Sequence, residues 1–364
     1  MSGHGAHIRT RHGRFAAIRR RCATAVMTAL TLGGLTTIGD IAPAQAAEQA
    51  VVVMYHRFGE TEYPSTNIRL EQFDAHLAEL TSGKYTVLPL PEIVAALKAG
   101  KSLPDRTVGI SIDDAYASVY DVAWPRLKKA GLPFTVFVST EPVDRKLRGL
   151  MTWDQIRELK AAGVTIGHHG TTHAHMSGAD KDKNLAEFTK ADERFKAELG
   201  AVPELFAFPY GEASKELEGM AQDRGFAAAF GQHSGVVHPS LGYFYLPRFA
   251  LNETFGGIDR FKLAVNALAM PVTDITPADE LITPNDPNPP AMGFTLIQPG
   301  PKGLDRLACF ASHEGRARLE NLGNVRIEVR VTQPFPSGRG RINCTLPGPD
   351  GRWYWLGRQF FIKK

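Results

Sequence analysis

The sequence predicts an α/β fold followed by a smaller all-β region. Three observations carry this. Apolar runs of strand length alternate with helical patterns from Val51 to about Met270. A proline-dense stretch, residues 271–292, then breaks the periodicity, and short strands with polar turns fill residues 293–364. Repeated strand–helix units imply parallel strands with helices packed on the sheet. The number of units points to a barrel, complete or not; an open doubly wound sheet is the alternative that periodicity does not separate.

In order, Val51–Tyr55 is an unbroken apolar run and reads as a buried strand. Phe73, Leu77 and Leu80 have helical spacing. Val108–Ile112 is a strand, followed by a helix near 118–130 that closes on Gly131. Phe134–Val138 is the next strand. Thr152 is placed to cap a helix running through Leu159. Val164–Ile166 is a strand, and a charged helix covers about 181–199. Leu205–Phe208 is a strand, and a helix near 213–224 ends at Gly225. Ala227–Phe230 and Phe244–Leu246 are further strands, and a last helix is expected over 257–269. Residues 271–292 are a linker or a wrapping segment. Beyond them, Phe294–Ile297, Leu307–Phe310, Val325–Val331, Arg341–Leu346 and Trp353–Leu356 suit a small antiparallel β-sandwich. Val325–Val331 alternates strictly, so one face is expected to be wet.

Residues 1–46 read as an export leader. They hold clustered Arg, an apolar segment from about Ala23 to Ile38, and Ala44-Gln-Ala46. The apolar segment is short and rich in Thr and Gly, which argues against a membrane span. The formal charge of +4 comes from 42 basic and 38 acidic residues. Six Arg and one Asp of these lie in the leader, so the remainder has 36 basic against 37 acidic residues. That balance offers no basic surface for nucleic acid. Two cysteines remain, Cys309 and Cys344. In an exported chain they permit one disulfide; two buried thiols are the alternative. A chain this long exceeds one comfortable core, so a large domain over 47–270 and a small one over 293–364 are expected.

The chemistry concentrates at strand ends. Asp113 and Asp114 close one apolar run, and His168, His169, His173 and His175 close another. In a barrel of parallel strands, carboxyl ends share the face where sites are built. Successive strand residues point in opposite directions, so neighbouring aspartates can take separate roles. One carboxylate and two imidazoles leave coordination positions open on a divalent metal, zinc first, with cobalt, nickel or iron also suited. A second carboxylate can accept a proton from water. The expected reaction is hydrolysis of an amide or ester. Alone, each stretch has a bland reading: adjacent aspartates cap helices, and loop histidines are mostly solvated.

Three ordered motifs sharpen this. They are Ser111-Ile-Asp113-Asp114-Ala-Tyr116, the run Gly167 to His175, and Phe206-Ala-Phe-Pro209-Tyr210-Gly211. Over about residues 51–270 the chain resembles the polysaccharide deacetylase family, also called the NodB-homology family or carbohydrate esterase family four. Met54-Tyr-His-Arg-Phe58 and Met151–Leu159 resemble its exported branch acting on amino-sugar polymers such as poly-N-acetylglucosamine. The resemblance implies a distorted (β/α)7 barrel, with Asp113 as catalytic base and Asp114, His169 and His173 as metal ligands. It also implies an oxyanion contact from the Tyr210 N–H. The expected substrate is an N-acetylated polysaccharide, and the expected location is the periplasm or the medium. An O-acetyl esterase on a xylan-like polymer and a non-catalytic carbohydrate-binding protein are the rival readings.

Departures from the family pattern are specific. Ala115 and Ile112 replace a Gly and a Phe. Gly170 replaces a Thr or Ser that would steady the loop. Ala207 stands where an arginine tethers the catalytic aspartate, and Arg248 is the candidate substitute. The Leu-x-His that supplies a general acid has no match. Trp153, Trp353 and Trp355 read as core rather than as sugar platforms.

Overall fold

The computed structural model describes residues 46–323 and 325–364. The expected leader, Cys22 included, lies outside them save its last residue, Ala46. Seven parallel strands lie side by side in the order Ala228–Phe230, Leu205–Ala207, Thr165–His168, Thr135–Val138, Thr107–Asp113, Val51–Tyr55 and Phe249–Ala250. Thr86–Val87 pairs with the start of the Thr107 strand. From Val51 to Phe230 each strand of the path is laid beside the one before it, and Phe249–Ala250 returns to the free side of the first strand. The sheet is therefore singly wound, and the open doubly wound alternative does not form.

Curling follows from one short segment. Leu246 makes a parallel bridge to Phe230 at one edge, and Phe249 pairs with Val53 at the other. The expected strand at Phe244–Leu246 is thus reduced to that bridge. Pro247, which has no N–H, separates it from the two-residue strand that follows. The Val51 and Thr107 strands are buried along their whole length, as central strands of a covered parallel sheet are.

Helices cover the sheet where the periodicity put them, at Leu70–Leu80, Trp153–Ala161, Lys181–Leu199 and Lys215–Asp223. Thr152 accepts from the Gln155 N–H while the Gln155 side chain accepts from the Thr152 N–H, a reciprocal cap. Gly131, at φ 67°, ends the helix Trp124–Ala130. The helix expected over 257–269 stops at Val265. Leu90–Lys98 is a helix that the reading above did not name. Its buried Leu90, Ile93, Val94 and Leu97 have helical spacing, with Pro91 in the first turn, where a missing N–H costs nothing.

Residues 271–292 lie on the sheets that follow, through strands Val272–Thr276 and Leu281–Ile282. One sheet is built on the long antiparallel pair Gly338–Pro347 and Trp353–Ile362, with Ala308–Ala311 beside it. The other runs Val272–Thr276, Met292–Leu296, Arg326–Arg330, Arg318–Leu322. Residues from both, among them Val272, Phe294, Ile327, Ile342 and Phe360, share one apolar cluster. Only alternate residues of Arg326–Arg330 are buried, which leaves the wet face its sequence implied. Cys309 and Cys344 face each other in register and form a disulfide. Trp355 does not join this cluster: it packs edge-on against Phe249 of the parallel sheet, at 5.2 Å. Trp353 is exposed.

Candidate active site

Parallel register brings the strand ends to one rim. Asp113 is opposite Phe137, Val138 opposite His168, and His168 opposite Phe206. Just past these ends the backbone turns sharply. Asp114, His173 and Tyr210 all have positive φ, at 74°, 60° and 60°. Such conformations cost of order 1–3 kcal/mol each for non-glycine residues and persist where the surroundings over-determine them. Here they turn three side chains away from their strands and toward one another.

Asp114, His169 and His173 form a cluster whose ligand atoms lie within 4.8 Å of one another. Asp114 Oδ1 is 3.4 Å from His169 Nε2 and 3.2 Å from His173 Nε2. His169 Nδ1 donates to the Ala207 carbonyl at 2.7 Å. That bond places the proton on Nδ1 and leaves the Nε2 lone pair facing the cluster. Asp114 Oδ1 and His169 Nε2 are both buried, and neither has a hydrogen-bond partner. Two orphaned buried acceptors beside a third donor atom suit a divalent cation, and the nitrogen and oxygen donor set suits a transition metal.

Asp113, fully buried, points elsewhere. Arg248 grips it with two prongs, Nη1 to Oδ1 at 2.7 Å and Nη2 to Oδ2 at 2.8 Å. The guanidinium is itself fixed by the Gly231 carbonyl at 2.8 Å and Ser111 Oγ at 3.1 Å. Burial pushes the Asp113 carboxyl up, but the Arg248 charge and the Arg248 hydrogen bonds together hold it below the usual carboxylate range. Burial likewise opposes ionisation of Asp114, and the adjacent His169 and His173 imidazoles outweigh it, holding the carboxyl well below its usual range. The two aspartates are adjacent in sequence and held in different surroundings, one by an arginine and one by imidazoles.

The loop between the two histidines is tied down from outside. Glu187, on the helix Lys181–Leu199, accepts from the Thr171 and Thr172 N–H groups at 3.0 and 2.9 Å and from Thr172 Oγ1 at 2.7 Å. A Cβ on Gly170 would meet Glu187 Oε2 at 3.3 Å, and its φ is +78°. The glycine that departs from the family pattern therefore makes room for the carboxylate that steadies the loop. His168 is buried among Phe188, Phe195, Phe206 and Phe226, and its Nδ1 accepts from the Gly170 N–H. His175 stacks on Tyr210 at 4.0 Å and bonds Glu212 at 2.7 Å. Neither belongs to the ligand cluster.

Three residues not singled out from the sequence join the site. Arg57 sits over the rings of Tyr63 and Tyr116 at 4.0 and 3.5 Å. With Asp114, Tyr116, Arg148 and His173 it lines a cavity of about 290 Å³. Gln232 reaches toward Asp113 Oδ2 at 3.5 Å. Of these, only Arg57 lay in a motif, Met54–Phe58. His56, in the same motif, has its pKa lowered by burial against the raising charges of Asp114 and Asp113. Trp153 is buried on Phe195 and donates to Asp144, as a structural residue.

Known proteins resemble this chain in sequence and fold. Residues 100–229 match the family model for polysaccharide deacetylase. That span runs from just before the Thr107 strand to Ala229 and holds Asp113, Asp114, His169, His173 and Tyr210. The chain is 24% identical to a poly-beta-1,6-N-acetyl-D-glucosamine N-deacetylase of Staphylococcus aureus over 55% of this chain and 73% of that protein. The fold matches the Streptococcus pyogenes deacetylase PplD with a TM-score of 0.56 at 20% identity, covering 60% of this chain and 98% of that one. It matches IcaB from Ammonifex degensii with a TM-score of 0.52 at 24% identity, covering 59% and 96%. Residues 100–229 thus match a polysaccharide deacetylase domain, and the fold is that of the deacetylases named above.

Proposed function

We propose that this protein is an exported, metal-dependent deacetylase that removes N-acetyl groups from an amino-sugar polymer. One observation carries the reading. A buried, arginine-clamped carboxylate, Asp113, lies beside a second carboxylate that shares a cluster with two histidines whose ligand atoms face one another. The name of the Staphylococcus aureus relative supports a poly-N-acetylglucosamine-like substrate, with chitin-like polymers and peptidoglycan as alternatives in the same class. The Cys309–Cys344 bridge supports an oxidising compartment. No helix among the described residues is long and apolar enough to cross a membrane.

Asp114, His169 and His173 would hold the metal. The chemistry that a divalent cation supplies when bound is Lewis acidity toward the acetyl carbonyl and toward water. Asp113 is ionised at neutral pH and accepts the proton of the attacking water at a carboxylate oxygen. Arg248 keeps that carboxylate in one orientation. The bond from water oxygen to the carbonyl carbon forms; the C–N bond then breaks as the proton taken up by Asp113 passes to the departing nitrogen, giving acetate and a free amine. Gly211 and Glu212 use their N–H groups inside the turn, on Phe208 and Pro209 carbonyls. The Tyr210 N–H is the turn's donor for the developing oxyanion.

Acetate release from N-acetylglucosamine oligomers is the direct assay. Activity disappears on chelation and returns on adding metal back. Asp113→Asn abolishes acetate release while metal content is retained. A fully active Asp113→Asn variant would refute the mechanism, and absence of bound metal with no acetate release would favour a binding protein. Comparing N-acetylated with O-acetylated polymers separates the esterase reading.

A further inference from the structure

The turn that carries Tyr210 is gripped by the C-terminal β region, about 150 residues away in sequence. Gln359, on the strand Trp353–Ile362, is 1% exposed. Its Nε2 donates to both carbonyls of the turn, Tyr210 O at 3.1 Å and Gly211 O at 2.8 Å. The Tyr245 hydroxyl donates to the same Gly211 carbonyl at 2.9 Å. Arg339, on the partner strand Gly338–Pro347, lies 5.6 Å from the Tyr210 ring centroid and 3.7 Å from Glu212.

The turn needs such a hold. Tyr210 and Gly211 both have positive φ, at 60° and 67°. Two consecutive carbonyls in this conformation point the same way, and one amide group meets both. Relaxing Tyr210 to an ordinary conformation would swing the N–H of its peptide and move its ring, which packs 4.4 Å from the ring of the metal-ligand candidate His173. The backbone at Gly211 cannot shift sideways to compensate, because even a Cβ there would meet the Gln232 backbone at 2.4 Å.

We infer that Gln359 and Tyr245 are positioning residues for the deacetylation, clamping the Tyr210–Gly211 carbonyls so that the Tyr210 N–H is aimed at the reacting carbonyl. The C-terminal β region is thereby part of the catalytic unit. This rests on the function proposed above. Misplacing a catalytic group by about an ångström costs up to roughly 100-fold in rate.

The test is steady-state acetate release from an N-acetylglucosamine oligomer by the full-length, metal-loaded protein. Gln359→Met keeps the length and removes the donor; it is expected to lower kcat about 10–100-fold with KM and bound metal unchanged. Tyr245→Phe removes one hydroxyl, and a smaller drop in kcat alone is expected. Ile342→Val, in the core of the same β region, lowers thermal stability and leaves kcat unchanged. If Gln359→Met unfolds the chain, Tyr245→Phe decides. Wild-type kcat in both variants overturns the clamp, as does a rise in KM at constant kcat. Asp113→Asn run alongside separates the two failures: if it stays active, the proposed function is wrong, and if it is dead while both clamp variants keep full kcat, only the clamp is wrong.

Discussion

Arg248 and Asp113 form a two-pronged ion pair, at 2.7 and 2.8 Å, with both side chains fully removed from solvent. They are 135 residues apart in sequence. The arginine reaches the aspartate from the short segment that joins the two edges of the curled sheet, so closure of the sheet and orientation of the carboxylate are one event.

Breaking this pair leaves a buried charge without compensation. Arg248→Met is expected to cost about 3–5 kcal/mol in stability, since a buried pair loses far more from removing one partner than it contributes as a pair. The folded-state pKa of Asp113 is depressed, so its contribution is present above the unfolded carboxylate pKa and is lost as pH falls through the lower folded value. In Arg248→Met that pKa rises, and the acid limb of kcat against pH moves to higher pH. A denaturation curve and a pH–rate profile check both effects; an acid limb that stays in place would contradict the assignment of Asp113 as base.

Glu187 holds the loop between the two histidines without facing the cluster itself. Glu187→Ala frees the Thr171 and Thr172 N–H groups and is expected to weaken metal affinity by roughly 10–100-fold, as loss of outer ligand support does. At saturating metal, kcat recovers. Competition with a chromophoric chelator measures the affinity, and an unchanged affinity would show that the loop holds its shape without the carboxylate.

His76 makes stability depend on pH far from the site. Its Nδ1 faces the Tyr55 hydroxyl at 2.9 Å, its Nε2 faces the Gly256 carbonyl at 2.8 Å, and its ring stacks on Phe261 at 3.9 Å. Burial, opposed by the Gly256 bond, brings its pKa down to about 4. The neutral ring is favoured in the fold, so stability is fully present above the unfolded value near 6.5 and declines as pH falls from there toward 4. The linked loss is about 3 kcal/mol at its limit. Unfolding by denaturant at pH 7.5 and pH 4 is expected to show this loss in the wild type and its removal in His76→Phe. Equal losses in both proteins would assign the pH dependence elsewhere.

The disulfide closes a loop with a sequence separation of 35 residues. Restricting a loop of that length in the unfolded chain stabilises the fold by about 3–4 kcal/mol. A Cys309→Ala, Cys344→Ala double variant should lose stability on that scale while bound metal stays the same, which thermal unfolding and metal analysis together report.

The helices and most strands were legible because burial on one stripe or on both faces leaves a local period that needs no partner to be read. The proximity of Asp114, His169 and His173 was legible for a related reason. These residues sit in two short stretches, Asp113–Asp114 and His168–His175, and parallel strands bring such strand ends to one rim whatever the details. Arg248 could be named as a candidate tether only because Ala207 leaves that role empty, since nothing around Pro247 marks it as inward-facing. Gln232 and Gln359 left no signal. A lone glutamine has no period, and the partners of Gln359 are backbone carbonyls that every residue carries.

The sequence by itself determined the parallel α/β order, the all-β region after it, and which residue types could hold a metal beside a free carboxylate. Tertiary structure alone decided that the sheet winds one way and curls, that Arg248 rather than a neighbouring strand residue holds Asp113, and that Glu187 replaces a missing loop hydroxyl. It also decided that the last strand reaches back to grip Tyr210. The division has a physical cause. Periodicity and strand-end position are set within a few residues, whereas a buried ion pair or a carbonyl clamp depends on side chains 100 or more residues apart meeting in one place, which only the packed fold arranges.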